Sequence, residues 1–260
     1  MSQATLTRVG PLAQRAILRT FRQPPLVVQG IVFPLFLFAF TVGGLGKIAT
    51  QLPGFPTHSY STFALALTFT YAAVFATVIG GAALGEDIRS GFVTRTALTA
   101  TSGVALVLGQ LSGVVAFAVF QSVVYLVVGL AAGAHIAAGP GGGLVMVGLT
   151  MAGALAFGSL GMLIAQKTRS PEAVQGLLPL LTVFMFLSSM SLPRDLISTG
   201  WVQTVASFNP ISYLIEGQRS LLVTGWDGQA LGFAAATAAA ILLPALAATV
   251  VGLRAASVAR

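Results

Sequence analysis

Residues 61–84 have the sequence STFALALTFTYAAVFATVIGGAAL, which contains no Asp, Glu, Lys or Arg. A charge-free apolar run of this length is sufficient for an α-helix that crosses the hydrocarbon core of a bilayer. The run is apolar on all sides and does not alternate between apolar and polar residues, so it does not resemble a strand of a membrane barrel. It therefore predicts a membrane-spanning helix.

The rest of the chain repeats this pattern. Six stretches lack all four charged residue types: 26–46, 61–84, 104–132, 144–165, 174–192 and 230–253. The composition agrees, since 56% of the residues are hydrophobic and only 7% are charged, whereas a soluble domain carries about 25% charged residues. We predict an all-α integral membrane protein of six transmembrane helices, folded as a single domain over 1–260 and without a cleavable signal peptide.

The basic residues predict the orientation of these spans. One side of the predicted membrane holds ten of them and the other side only Lys47, Arg194 and Arg219. Because cytoplasmic loops are enriched in Lys and Arg, we expect a multi-pass protein of the cell (inner or plasma) membrane with both termini in the cytoplasm. The net charge of +7 follows from these loops, and we expect no nucleic-acid partner. The ten are Arg8, Arg15, Arg19, Arg22, Arg89, Arg95, Lys167, Arg169, Arg254 and Arg260.

The N-terminal segment, residues 1–23, has apolar residues at helical spacing and four arginines on the opposite face: Arg8, Arg15, Arg19 and Arg22. This pattern predicts an amphipathic helix that lies at the membrane interface with its arginines on lipid headgroups. The alternative is a solvated basic tail. Pro24 and Pro25 end the segment and begin the first span.

Two predicted loops are unusual. The cytoplasmic loop 85–103, between the hairpin of spans one and two and span three, mixes charges with small residues and predicts a short helix with an exposed Phe92; a solvated loop is the alternative. The exterior loop 193–229 contains apolar stretches at 201–208 and 211–224. Both are too short to span, so we predict short re-entrant helices in the outer leaflet before the last span.

Several function classes are excluded or disfavoured. The two histidines, His58 and His135, lie in separate exterior loops, and no nucleophile lies beside a base, so we expect no catalytic residue and no metal site. Residues 43–47 superficially resemble a phosphate loop, but Thr41 stands where that motif needs Gly and Ile48 where it needs Ser or Thr. We therefore expect no ATP hydrolysis and no bound cofactor on this chain.

The spans contain no ionisable group, which disfavours proton coupling and indicates that energy arrives from elsewhere; sodium sites built from carbonyls and hydroxyls stay open. Apolar and aromatic side chains could line a path for large apolar molecules, although ordinary helix packing or lipid contact is the alternative for each. The candidates are Phe69, Tyr71, Phe75, Gln121, Tyr125 and Phe184.

Two motifs resemble a known family. The first is Glu86, Asp87, Arg89, Ser90, Gly91, Phe92 and Arg95, followed by Leu108-Gly109; the second is Phe208-Asn209-Pro210-Ile211-Ser212-Tyr213, then Glu216 and Arg219. Together with the six-span layout, they resemble ABC-2 type permeases, especially the daunorubicin-resistance exporter group. The run Leu98–Ser102 lacks the Leu-Pro or Thr-Pro that such loops often have, and Gln110 stands where relatives often carry Lys or Arg.

The resemblance implies a permease that works with a cytoplasmic ABC ATPase dimer, which binds ATP and Mg, and with a second, identical or related permease. It implies contact with the ATPase through the N-terminal helix and through Glu86, Asp87, Arg89, Phe92 and Arg95. It places Asn209, Pro210, Tyr213, Glu216 and Arg219 in the exterior re-entrant motif. Since Glu216 and Arg219 are three residues apart on a predicted helix, we expect them to pair, with Tyr213 in the same network.

The expected function is export of a hydrophobic or amphipathic substrate, such as a drug, natural product or lipid, with multidrug efflux and antibiotic resistance as consequences. Export of a polysaccharide or oligosaccharide is the alternative within the family. An ATP-independent carrier or channel, and a membrane subunit without transport activity, are alternatives from other classes.

Overall fold

The computed structural model describes residues 3–98 and 103–258, with the side chains of 9–96 and 103–253. Residues 99–102, at the end of the short helix predicted in loop 85–103, therefore lie outside the described residues, as does Arg260. The side chains of Arg8 and Arg254 are also outside the described set. The helices are α1 Gln3–Phe21, α2 Pro24–Ala49, α3 Tyr60–Arg89, α4 Phe92–Leu98, α5 Gly103–Ala131, α6 Gly139–Thr168, α7 Pro171–Gln175, α8 Leu178–Phe186, α9 Gly200–Phe208, α10 Pro210–Val223 and α11 Gly228–Val258, with a 3-10 turn at Arg194–Leu196.

Five of these helices, α2, α3, α5, α6 and α11, are long and apolar enough to cross a bilayer. Each contains one of the predicted charge-free stretches or nearly all of it, and none of the described residues forms a strand. The prediction of an all-α membrane protein is confirmed. Large apolar side chains are exposed on the outer faces of these helices, among them Phe36, Phe40, Val127 and Leu243, as expected where a helix meets lipid hydrocarbon.

The sixth predicted span, 174–192, differs from the prediction. It is divided into α7 and α8, and the chain after Phe186 is not helical. Gly176 caps the end of α7, and Pro179, which has no N–H to donate to Gln175, lies in the first turn of α8, where a missing N–H is tolerated, so a second helix begins there. The prediction of one continuous helix was wrong, because the apolar composition of a stretch shows that it can lie in lipid and not that its backbone forms an uninterrupted helix.

This broken segment nevertheless runs the length of α3. At the Arg89 end of α3, a methyl group added to Gly85 would lie 2.9 Å from the backbone N of Pro171. At the Tyr60 end, the Tyr60 hydroxyl donates to the Ser191 carbonyl at 3.4 Å. We call residues 171–191 the crossing segment, because they pass from one end of α3 to the other.

Helix α3 occupies the centre of the bundle, and its whole apolar stretch is buried. It packs most extensively on α6, where glycines let the two backbones approach closely. A methyl group added to Gly80 would lie 2.8 Å from the Gly158 carbonyl, and one added to Gly81 would lie 2.7 Å from the Gly161 carbonyl. Small residues at a helix contact allow this close packing in a membrane protein.

Candidate functional site

A buried carboxylate fixes the Arg89 end of α3. The side chain of Asp87 is 1% exposed and accepts hydrogen bonds from Arg15 at 2.7 and 3.0 Å and from Arg19 at 2.8 Å. The Gln110 amide of α5 also donates to it. We call these four residues the Asp87 cluster. Two guanidinium groups and an amide are strong donors for a buried carboxylate, so the cluster ties α1, α3 and α5 together.

Helix α1 reaches this cluster because it packs on α5 through small residues. A methyl group added to Gly109 would lie 2.6 Å from the Leu12 side chain, and one added to Gly113 would lie 2.9 Å from the Ala16 carbonyl. The predicted apolar face therefore packs at least partly on protein. Arg15 and Arg19 bond to Asp87, and the contact of the four arginines with headgroups stays a prediction.

The other face of α1 forms an open basic groove of about 600 Å³. Arg15 and Arg19 form one part of it, and the exposed Arg22 adds a further positive charge. Three cations beside one buried carboxylate leave the groove with a net positive charge, which suits an anionic surface. The lining residues are Pro11, Gln14, Arg15, Leu18, Arg19, Arg22 and Gln23.

Of the residues predicted to contact the ATPase, some lie on the surface and others in the interior. Glu86 and Arg89 pair at 2.5 Å on the surface, and Arg95 is exposed on α4. Asp87 is buried and its carboxylate is used inside the chain. Phe92, predicted to be exposed, is half-buried, with the Arg15 guanidinium 3.8 Å above its ring. This cation–π contact adds α4 to the unit that the Asp87 cluster holds.

The surface charges also reach the start of the crossing segment. Arg89 lies 3.1 Å from Glu172, and the Ser170 hydroxyl donates to the other oxygen of that carboxylate at 2.7 Å. The hydrogen bond from Ser170 lowers the pKa of Glu172 below its ordinary value, and the charge of Arg89 lowers it further. The Arg89 end of the bundle is thus a connected charged surface.

At the Tyr60 end, Asn209 and Pro210 set the start of α10. The Asn209 side chain accepts from the Ile211 N–H at 3.0 Å, and Pro210 occupies the first helical position, where a missing N–H costs nothing. The Asn209 amide donates to the carbonyls of Phe184 and Leu187 at 2.7 and 3.3 Å. These carbonyls belong to the last turn of α8 and the residue after it, so Asn209 ties α10 to the crossing segment.

The predicted pair of Glu216 with Arg219 does not form. Glu216 pairs instead with Arg194, which donates through Nε at 2.5 Å and through a second nitrogen. The Arg194 guanidinium also lies 4.4 Å above the Tyr213 ring, and the Tyr213 hydroxyl donates to the Ser207 carbonyl at 2.8 Å. Partial burial alone would lower the pKa of Arg194, but the contacts with Glu216 and Tyr213 outweigh it and raise that pKa.

Arg219 points the other way, into the protein, and is 7% exposed. One guanidinium nitrogen donates to the carbonyls of Ser189 and Met190 at 2.8 and 3.0 Å, and the group lies 3.6 Å above the Phe63 ring of α3. We call Phe63, Ser189, Met190 and Arg219 the Arg219 cluster. Within residues 9–96 and 103–253, no carboxylate lies within ion-pair distance of this guanidinium.

The candidate path residues are mostly interior. Five of them are buried between α2, α3 and α5, and only Phe184 on α8 is substantially exposed. Gln121 donates to the Gly30 carbonyl at 2.6 Å, and the Tyr125 hydroxyl donates to the same oxygen. In this conformation they serve helix packing. The five are Phe69, Tyr71, Phe75, Gln121 and Tyr125.

Sequence reasoning missed three partners: Gln110, Arg194 and the Gly30 carbonyl. A signal existed for Gln110, because it is one of only two amide side chains in the mostly apolar α5 sequence, the other being Gln121. Arg194 lies 22 positions from Glu216 and in another element, so helical spacing could not reveal the pair. In the part of the chain that the structure describes, no three His, Asp or Glu side chains converge as a metal site.

The comparisons with known proteins agree with this architecture. A family model described as ABC-2 type transporter matches residues 7–223, from α1 to the end of α10. The matched range includes both charged clusters and four of the five long apolar helices. No curated protein matches the chain.

Proposed function

The chain belongs to the ABC-2 type transporter family, and from that premise we propose that it exports its substrate with energy from ATP hydrolysed on a separate subunit. It is a multi-pass membrane permease of an ABC transporter and not a catalytic domain. The apolar helices contain no Asp, Glu, Lys, Arg or His away from their ends, which disfavours a proton pathway. The charged groups that could receive a mechanical signal concentrate at the Arg89 end of α3.

One observation carries the proposal: the Asp87 cluster makes a single unit of α1, α3 and α5, which Arg15 extends to α4. The groups left on the surface of this unit are charged, with Arg22 and Arg95 exposed. An ATPase that binds the basic groove of α1, the surface of α4 and the exposed Glu86 at the end of α3 would displace the whole of α3, the central helix. Asp87 would then contribute to this movement by holding α1, α3 and α5 together.

Co-purification tests the ATPase contact. We expect Glu86→Ala combined with Arg95→Ala to insert and fold normally, because neither side chain belongs to the Asp87 cluster, but to lose most of the ABC ATPase that co-purifies from mild detergent. The matched control is Arg194→Ala at the other end of the bundle, which should keep the ATPase. Equal recovery of ATPase in both variants would refute the docking surface.

The substrate class follows from the lining available. Spans without charge suit a hydrophobic or amphipathic molecule, such as a drug, natural product or lipid, and two such permeases would form the path between them. Transport into inside-out vesicles should require hydrolysable ATP and should persist when ion gradients are collapsed. Transport driven by an ion gradient without ATP would instead support an independent carrier.

A polysaccharide is the second candidate substrate, and a specific observation favours it. Trp201, Phe208 and Trp226 lie in or beside the short helices of the Tyr60 end, and they are 64%, 84% and 62% exposed. Exposed aromatic rings can stack on sugars, although they also suit the aromatic belt of a membrane interface. Competition of an oligosaccharide with a lipophilic dye in the same vesicle assay separates the two classes.

A further inference from the structure

Arg219 is a buried cation held by neutral groups. Its donors face two main-chain carbonyls and its plane lies on an aromatic ring. Its Nε and the nearby Ser189 hydroxyl oxygen are both buried without a hydrogen-bond partner among the described residues. A buried charge is costly unless it is paired and fully hydrogen-bonded. The free-energy cost of burying the Arg219 charge is therefore only partly offset by its contacts in this closed arrangement.

The carbonyls that Arg219 binds are those of a chain that has just left a helix. Helix α8 ends at Phe186, and the carbonyls beyond it have no following helical turn to supply N–H donors. Helix α10 supplies the hydrogen-bond partners instead: the Ser212 hydroxyl accepts from the Ser189 N–H at 3.2 Å, and Arg219 donates to the carbonyls of Ser189 and Met190. The exterior end of the crossing segment is thus held against α3 by side chains of α10.

We propose that Arg219 is a positioning residue, a releasable clasp that holds residues 187–191 against the first turn of α3 and lets them go when this end of the bundle opens. No ion pair has to break on release, and water entering the site would satisfy both unpaired polar atoms. The contact of Arg219 with residues 187–191 lies within this chain and needs no partner subunit. Its release during a transport cycle rests on the proposed function.

The absence of native cysteine allows a direct test. Ser189→Cys places the only thiol of the chain at a fully buried position. Since the Ser189 hydroxyl oxygen has no hydrogen-bond partner among the described residues, the substitution breaks no hydrogen bond of that oxygen. The purified chain in nanodiscs is treated with a water-soluble maleimide, which reaches both faces and makes the result independent of orientation. We expect slow labelling with native Arg219.

Substitutions of Arg219 should then raise the labelling rate, and the rise should be larger for a variant that removes more of the hydrogen bonds to the crossing segment. Arg219→Met removes both hydrogen bonds and should accelerate labelling about tenfold or more, with Arg219→Lys intermediate, because the rate follows the free energy of local opening. Arg194→Met is the matched control, since it removes the other, partly buried arginine of this end but leaves the carbonyls of Ser189 and Met190 bound. It should change the rate by less than about twofold.

Two outcomes would overturn the clasp: Arg219→Met labelling no faster than the parent, or Arg194→Met labelling as fast as Arg219→Met. Ser159→Cys, fully buried on α6, reports general unfolding, and exposed Ser198→Cys reports reagent access. If Arg219→Met also exposes Ser159→Cys, the milder Arg219→Lys decides, and it must accelerate labelling at Ser189→Cys alone.

The transport step is tested separately in the complex with the ATPase. ATP turnover should accelerate labelling of Ser189→Cys relative to the nucleotide-free complex, and an unchanged rate would refute release during the cycle. Should no ATPase bind, the proposed function fails, while the nanodisc measurement still decides whether Arg219 holds the segment.

Discussion

The two ends of α3 are both fixed by a buried charge, but of opposite sign and with different partners. At the Arg89 end, Asp87 is matched by two guanidinium groups and an amide. At the Tyr60 end, the guanidinium of Arg219 meets carbonyls and a ring, with no carboxylate of the described residues in ion-pair range. One end has its charge neutralised inside the fold, and the other does not.

The helix dipole of α3 favours neither arrangement. Asp87 lies in the last turn, where the dipole is negative, and Arg219 lies on Phe63 in the first turn, where it is positive. The side-chain partners must therefore provide the stabilisation at each end. Ion pairs at the Arg89 end suit a junction that moves as one body, and neutral contacts at the Tyr60 end suit a joint that opens.

The largest effect is expected from Asp87→Ala. It leaves Arg15 and Arg19 beside each other with no counter-charge, which should destabilise the protein by about 3 kcal/mol, the lower end of the usual cost of breaking a buried ion pair, because the two arginines are 39% and 22% exposed. The measurement is the melting midpoint of the purified protein in detergent, together with the yield of monodisperse protein.

A compensated variant separates charge from packing. In Asp87→Leu with Arg15→Met and Arg19→Met, apolar groups of similar size replace the three charges. Most of the stability lost in Asp87→Ala should return, since such replacements are often neutral, less the cost of the Gln110 amide that loses its carboxylate partner. ATPase coupling should stay impaired, because the oriented contact of Arg15 with Phe92 is gone. Failure of the triple variant to recover stability would show that the charges themselves do not set the cost.

A smaller loss is expected from Arg219→Met. The substitution orphans two carbonyls, at about 1–3 kcal/mol for buried groups left unsatisfied, but it also removes an uncompensated cation, which offsets part of the loss. The melting midpoint should fall less than in Asp87→Ala. If Arg219→Met is the more damaging variant, the contrast between a fixed end and a releasable end is wrong.

The sequence predicted the helices well where one physical quantity decides the outcome. A charge-free run must cross lipid as a helix, so 61–84 and its counterparts predicted five long helices with small shifts at their ends. Composition does not encode helix continuity in 174–192. There, Gly176 ends α7 and Pro179 lies in the first turn of α8, so two short helices replace one long helix.

The sequence predicted which segments of the chain carry the charged sites, but not which side chains contact each other there. Helical spacing suggested Glu216 with Arg219, but their side chains leave α10 in different directions toward Arg194 and Ser189. Asp87 was expected to contact the ATPase because the family resemblance implied that role for it. Its burial follows from α1 packing on α5, a contact between residues about a hundred positions apart that no local pattern contains.

The smallest effect is expected from Glu172→Gln, which removes a carboxylate paired with Arg89 on the surface. Both side chains are more than half exposed, and exposed pairs contribute little because water and salt screen them. The folded-state pKa of Glu172 is lowered, so any stabilisation is present above the unfolded pKa and is lost as the pH falls through the folded value. At neutral pH the variant should melt only slightly below the parent, and an acid titration of the melting midpoint should abolish this small difference, because protonated Glu172 is neutral like Gln. A neutral-pH loss comparable to that of Asp87→Ala would mean that the presence of an ion pair, and not its burial against α3, decides what holds this end of the helix.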